Sequence, residues 1–157
     1  MKKLFLIVAT LFVAVSFSAC SDDDKDDNLP ITTTNLAGTW QITLYEGWAT
    51  YSDGTRDDWS DVYPDVSDGN YYWTYTFDTN GTCLRESHDD NNENEDAPDY
   101  FTYSISGNTL TMKCEMDSDL NFVGTIKKLT SSHLVIFRSG EDAFEKYEET
   151  ETYKRLK

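Results

Sequence analysis

The sequence predicts an all-β domain, an eight-stranded antiparallel up-and-down meander barrel, and three observations lead there. Apolar and aromatic residues alternate with polar ones at a period of two, not at helical spacing. Turn signals rich in Gly, Asn and Asp separate these runs at roughly regular intervals. No helical segment of the kind that a parallel crossover needs lies between them. A two-sheet sandwich is the competing arrangement, because hairpins alone do not establish closure.

The strands follow in order. Trp40, Ile42 and Leu44 alternate with Thr39, Gln41, Thr43 and Tyr45, which makes a half-buried first strand. The segment from Trp48 to Tyr72, with Trp48, Trp59 and Tyr63 among aspartates, is too long for a hairpin turn and is expected to form a lid over the barrel mouth. Tyr71, Trp73, Tyr75 and Phe77 alternate with Tyr72, Thr74 and Thr76 in a second strand, Asp78-Thr79-Asn80-Gly81 turns the chain, and residues 82–88 return. After a polar acidic loop over residues 89–98, residues 100–106 put Phe101, Tyr103 and Ile105 on one face. Gly107-Asn108 leads into a fifth strand on which Leu110, Met112, Cys114 and Met116 share a face. Residues 120–129 and 133–138 are the sixth and seventh strands, separated by Thr130-Ser131-Ser132. Residues 139–149 could begin a short helix with Ser139 as N-cap, but Tyr147, Glu149, Glu151, Tyr153 and Arg155 alternate, and a strand from about Tyr147 is favoured.

The chain has 157 residues with 29 acidic and 13 basic side chains, a formal charge of −16. Binding to nucleic acid needs a basic footprint that replaces phosphate counterions, so nucleic acid is not expected as a partner. The length suits one domain with a packed core. With 4 Trp, 10 Tyr and 8 Phe, the chain is too aromatic for an acidic disordered segment.

Lys2 and Lys3 precede an apolar run over residues 4–15, then Ser16-Phe17-Ser18-Ala19 and Cys20, the layout of a secretory signal. The run is shorter than the roughly 20 residues that cross a bilayer as a helix. Phe17-Ser18-Ala19-Cys20 resembles the lipobox of bacterial lipoproteins, in which the Cys thiol is acylated and becomes the mature N-terminus; an ordinary signal peptide that leaves a Cys nearby is the plainer reading. The expected organisation is a signal peptide over 1–19, a lipidated Cys20 with an acidic linker over 20–34, and a barrel domain over 35–157. Ser21-Asp22-Asp23-Asp24-Lys25-Asp26-Asp27 resembles the tag that sends some Gram-negative lipoproteins to the outer face of the outer membrane, and it also reads as a self-repelling solvated tether. A lipid-anchored outer-membrane protein facing the exterior is expected. Anionic headgroups repel so acidic a chain, so membrane residence rests on the acyl chains.

Within the barrel, Leu36-Ala37-Gly38-Thr39-Trp40, Phe77-Asp78-Thr79-Asn80-Gly81-Thr82, Tyr103-Ser104-Ile105-Ser106-Gly107-Asn108-Thr109-Leu110, Ile126-Lys127-Lys128-Leu129-Thr130-Ser131-Ser132-His133-Leu134 and Tyr153-Lys154-Arg155 together resemble the bacterial lipocalin-like lipoproteins. The resemblance implies a small meander barrel with an internal cavity. Gly38-Thr39-Trp40 matches the Gly-x-Trp signature, and Arg155 stands where the family places a late Arg that covers that Trp, so Gly38, Trp40 and Arg155 are expected to be structural. In this strand order Cys83 on the third strand and Cys114 on the fifth are separated by a whole strand. At ~4.8 Å per strand that is roughly 9 to 10 Å, beyond the ~7 Å that a disulfide spans.

No catalytic motif is present: neither His88 nor His133 is paired with a nucleophile, and no GxSxG, HExxH or phosphate-cradling glycine loop occurs. No enzyme activity and no cofactor is expected. Asp57, Asp58, Asp61, Asp65 and Asp68, and Asp89, Asp90, Glu93, Glu95 and Asp96, form acid-rich stretches that could take calcium, but neither matches an EF-hand and a solvated rim is the favoured reading, so no metal ligand is assigned. Trp48, Trp73, Tyr75, Phe77, Phe101, Tyr103, Met112, Cys114 and Arg138 are the candidate ligand-binding residues. As pure core they need no function. Glu46, Arg85 and Arg138 are candidates to orient a ligand head group or to pair with one another. The expected function is non-catalytic binding of a small apolar or aromatic ligand. The alternative is a filled barrel that presents acidic and aromatic loops to a protein or glycan partner. A hydrolase comes third and requires a cluster of perturbed carboxylates in a cleft.

Overall fold

The computed structural model describes residues 27–91 and 97–156. The expected signal peptide, Cys20 and most of the acidic run fall outside the described residues, as do Glu93, Glu95 and Asp96. Among the described residues nine strands follow a short helix, α1 (Thr33–Leu36): β1 (Gly38–Tyr51), β2 (Arg56–Val62), β3 (Tyr72–Phe77), β4 (Thr82–His88), β5 (Asp99–Ser106), β6 (Thr109–Cys114), β7 (Phe122–Leu129), β8 (His133–Glu141) and β9 (Glu145–Arg155). A single 3-10 turn, Ser118–Leu120, precedes β7. Every pairing is antiparallel, and β9 returns to pair with β1, which closes the sheet into a barrel.

Closure leaves eight strand positions. β2 and β3 lie along the same edge of β1, β3 opposite residues 38–41 and β2 opposite residues 44–50. The second barrel strand is therefore broken in two by the excursion 63–71, and the expected count of eight holds for the closed barrel. The lid expected between Trp48 and Tyr72 is mostly ladder instead. Trp48 belongs to β1 and Trp59 to β2, joined by a turn in which Asp53 accepts hydrogen bonds from the Thr55 backbone N–H (2.9 Å) and hydroxyl (2.6 Å). Asp57, Asp58 and Asp61 have low strand propensity, but the ladder to β1 overrides it. The excursion returns against the wall: Tyr63 N–H donates to the Thr43 carbonyl at 3.0 Å, and the Tyr63 ring meets Trp73 edge-on at 4.9 Å.

One end of the barrel is a sealed floor. Thr32 caps α1, whose last residue, Leu36, is fully buried against Trp40. The Trp40 indole N–H donates to the Leu36 carbonyl at 2.8 Å. Arg155 lies 4.0 Å above the Trp40 ring and donates to the Ala37 and Asn35 carbonyls, both at 2.6 Å, where a cation complements the carbonyl end of α1. Gly38 turns the chain into β1 at φ +127°, which a side chain would disfavour. The chain enters here: Leu29 N–H donates to the Leu129 carbonyl at 2.7 Å, and Leu29 and Ile31 pack on the core, so the end of the segment read as linker is docked on the barrel.

Above the floor, alternation delivers Ile42, Phe77, Tyr103, Leu110, Met112, Ile126, Leu134 and Ile136 to a filled apolar interior. Phe101 stands between Cys83 and Cys114 in the register, and both thiols are free. Met116, expected on the same face as Met112, falls beyond β6 and is exposed, as is Glu46. Among the described residues no helix is long and apolar enough to cross a membrane.

Candidate functional site

The opposite end of the barrel is not filled. A cavity of about 170 Å³ opens there, walled by Trp73 and Tyr75 of β3, Arg85 of β4, Phe101 of β5, Phe122 of β7, Arg138 of β8 and Glu151 of β9, with Asp119, Leu120 and Asn121 at its rim. Period-two alternation explains the arrangement: the faces that carry apolar side chains near the floor carry polar ones a few residues further on. On β4 Arg85 follows Cys83, on β8 Arg138 follows Ile136, and on β9 Glu151 precedes Tyr153.

These polar groups are linked. Arg138 Nη2 donates to Glu151 Oε1 at 2.8 Å, and its Nε lies 2.8 Å from Glu149 Oε1, an ion pair set off the line of a hydrogen bond. Glu151 Oε2 accepts from the Tyr153 hydroxyl at 2.7 Å, and Tyr45 donates to the other oxygen of Glu149. Arg85 donates to Asp99 at 3.1 Å with its guanidinium 5.6 Å from the Trp73 ring, while that of Arg138 lies 4.7 Å from Phe122. Burial works against the charge on Arg138, but Glu151 and Glu149 outweigh it and hold the guanidinium protonated. Burial raises the Glu151 carboxyl above its ordinary value, opposed by Arg138 and by the Tyr153 hydroxyl. Burial likewise raises the Tyr75 phenol, so its hydroxyl keeps its proton at neutral pH.

Of the residues expected to bind a ligand, Trp73, Tyr75, Phe101 and Arg138 meet at this cavity. Phe77, Tyr103 and Met112 point inward but belong to the filled interior nearer the floor. Cys114 ends β6 half-buried, its N–H bonded to Asn121, and does not line the cavity. Trp48 does not either: it sits under Arg56, 4.5 Å away, beside a separate groove of about 320 Å³ shared with Trp59 and Phe137. Gly47 keeps that wall tight, since a Cβ there would come within 2.5 Å of the Glu148 carbonyl.

Sequence reasoning passed over Glu151, Leu120 and Phe122 as site residues. Glu151 was visible as an acid in phase with Tyr153 and Arg155, the two inward residues that follow it. Residues 118–121 carry no periodic signal, and nothing local marks them as a rim. Among the described residues no group of three or more His, Cys, Asp or Glu is arranged to hold a metal ion, the acid-rich segment 57–68 included.

A family model described as a lipocalin-like domain matches residues 36–136. Among solved structures, a lipocalin-like protein from Bacteroides uniformis is similar at 16% identity and a TM-score of 0.47, covering 78% of this chain and 99% of its own. An uncharacterized protein from Bacteroides eggerthii matches at 13% identity and a TM-score of 0.42, over 76% of this chain and 98% of its own. None of the curated proteins compared with it matches.

Proposed function

The chain belongs to the lipocalin-like domain family, and from that premise we propose that it binds a small, largely apolar or aromatic ligand at the barrel mouth without transforming it. The cavity of about 170 Å³ carries this reading, with aromatic walls and two arginines, in a barrel whose other end is well packed. An apolar cavity of ~150 Å³ accommodates benzene, so the occupant is a single-ring or short branched molecule and not a long acyl chain.

Binding to the native state raises stability as RT ln(1 + [L]/Kd), about 2.7 kcal/mol at a hundredfold excess over Kd. Melting the purified protein against single-ring compounds, fatty acids, bile acids, glycans and calcium therefore tests the reading. A saturable shift with single-ring compounds supports it. A flat response across the panel, in a protein that melts cooperatively, supports the alternative of an interaction module. The groove between Trp48, Trp59 and Phe137, bordered by Glu46, Asp58 and Glu148, is the surface that favours that alternative.

The address is part of the proposal and rests on sequence. Cys20 carries the lipid after removal of residues 1–19, and the acidic run that follows directs the protein to the exterior of the outer membrane. Metabolic labelling with a clickable fatty acid, lost in Cys20→Ala, together with protease shaving of intact cells, tests both steps.

A further inference from the structure

The cavity's hydrogen-bonding capacity is uneven. Glu151 has both oxygens engaged, one by Arg138 and one by Tyr153, and Asp99 accepts from Arg85. Donors are left over: each guanidinium carries five N–H groups, and one contact to Asp99 for Arg85 and two carboxylate partners for Arg138 do not exhaust them. Most telling is Tyr75. It is 6% exposed, it lines the cavity, and its hydroxyl finds no hydrogen-bond partner among the described residues. That hydroxyl is not among the buried polar atoms without a partner, so it opens onto the cavity, and a ligand that displaces water from it must accept in the water's place or leave it desolvated.

Charge restricts what that something is. Arg85 is already balanced by Asp99, and Arg138 by Glu149 and Glu151. An anion entering the cavity would bring uncompensated charge into a half-enclosed space already edged by carboxylates. A purely apolar molecule would leave the Tyr75 hydroxyl and the spare guanidinium N–H groups desolvated. Resting on the cavity reading above, we propose that the ligand is a neutral single-ring molecule with a carbonyl or hydroxyl oxygen, which accepts from Tyr75 and from the spare donors of Arg85 or Arg138. Its ring lies among Trp73, Phe101 and Phe122. Tyr75 thus acts as a specificity determinant that tells neutral acceptors from hydrocarbons.

Three probes of similar size separate the terms: benzamide is neutral with a carbonyl acceptor, benzoate is charged, and toluene has no acceptor. Each is titrated into the purified protein, with Trp fluorescence and two-dimensional NMR as readouts. Benzamide is expected to bind tightest of the three and to shift the resonances of Trp73, Tyr75 and Phe101. In Tyr75→Phe its affinity is expected to fall roughly three- to tenfold while that of toluene is unchanged, as for the loss of one hydrogen bond. Toluene or benzoate binding as tightly as benzamide overturns the assignment of ligand class and leaves the cavity reading standing. So does an unchanged benzamide affinity in a folded Tyr75→Phe. Saturable binding of none of the three, at concentrations up to their solubility, overturns the single-ring cavity reading and this inference with it. The comparison of probes on the native protein needs no variant, so the outcome does not hang on the folding of Tyr75→Phe.

Discussion

The two ends of this barrel solve the same packing problem in opposite ways. At the floor, Trp40, Leu36 and Tyr153 are completely buried, and the indole N–H of Trp40 and two guanidinium nitrogens of Arg155 reach backbone carbonyls. At the mouth, Arg85, Arg138, Glu149 and Glu151 share the interior with aromatic rings, a cavity of about 170 Å³ remains, and Tyr75 lines it. An end whose polar groups are mostly satisfied by its own backbone, Arg155 Nε being the exception, contributes stability. An end whose polar groups outnumber their partners contributes binding. The contrast is what separates the structural trio Gly38, Trp40 and Arg155 from the candidate site, although all face inward on the same sheet.

Substitutions at each end should break this contrast in different ways. Trp40→Ala removes the largest fully buried side chain at the floor and is expected to cost about 3 to 5 kcal/mol, read from denaturant unfolding, a large share of a small domain's stability. Next in size, Arg138→Met leaves Glu151 buried without its cation and should cost about 3 kcal/mol, while the double variant Arg138→Met/Glu151→Met regains most of that loss. The measurement is the coupling energy of the two changes, and additive losses would mean that the pair is not one unit. Arg155→Ala loses two hydrogen bonds and a cation–π contact, about 2 kcal/mol, with ligand affinity at the mouth unchanged.

Raising the pH sharpens the contrast from another side. Burial holds the Tyr75 and Tyr153 phenols above their ordinary value of 10.0. The folded protein therefore keeps protons that the unfolded chain releases. Stability from this source is intact below pH 10 and falls above it, by up to about 1.4 kcal/mol per pH unit for each phenol. Exposed tyrosines such as Tyr100 ionise first, and a further rise in tyrosinate absorbance that coincides with unfolding would show the linkage. The smallest effect is expected for Leu120→Ala at the half-exposed rim: under about 1 kcal/mol of stability, with ligand affinity changed more than melting temperature.

How much of this could be read from the residues differs along the chain. Period two was legible wherever one face was apolar, as in Trp73-Thr74-Tyr75-Thr76-Phe77, and the meander follows from it. The floor was legible too, because Gly38, Trp40 and Arg155 keep recognisable positions at the two ends of the domain. β2 was not, since Arg56-Asp57-Asp58 gives no hydrophobic alternation and becomes a strand only by pairing with β1. Half the site was hidden for a related reason. A binary apolar–polar pattern does not tell an inward charge from an outward one, so exposed Glu46 was named beside Arg85 and Arg138, and Glu151 was counted only as part of a strand. The lid was read from length, and length did not reveal that a broken strand runs through it.

The position at which the chain enters the barrel gives the molecule a direction. Leu29 is joined to the end of β7 behind the floor, while the cavity lies at the other ends of the same strands. The described chain thus meets the barrel on its sealed side, where the segment leading to the lipid proposed on Cys20 joins it. The floor is then the end of the barrel where the tether joins, and the mouth is the other end. On a cell surface, ligand would arrive from the medium and not from the bilayer, which suits a molecule dilute in water better than one dissolved in lipid.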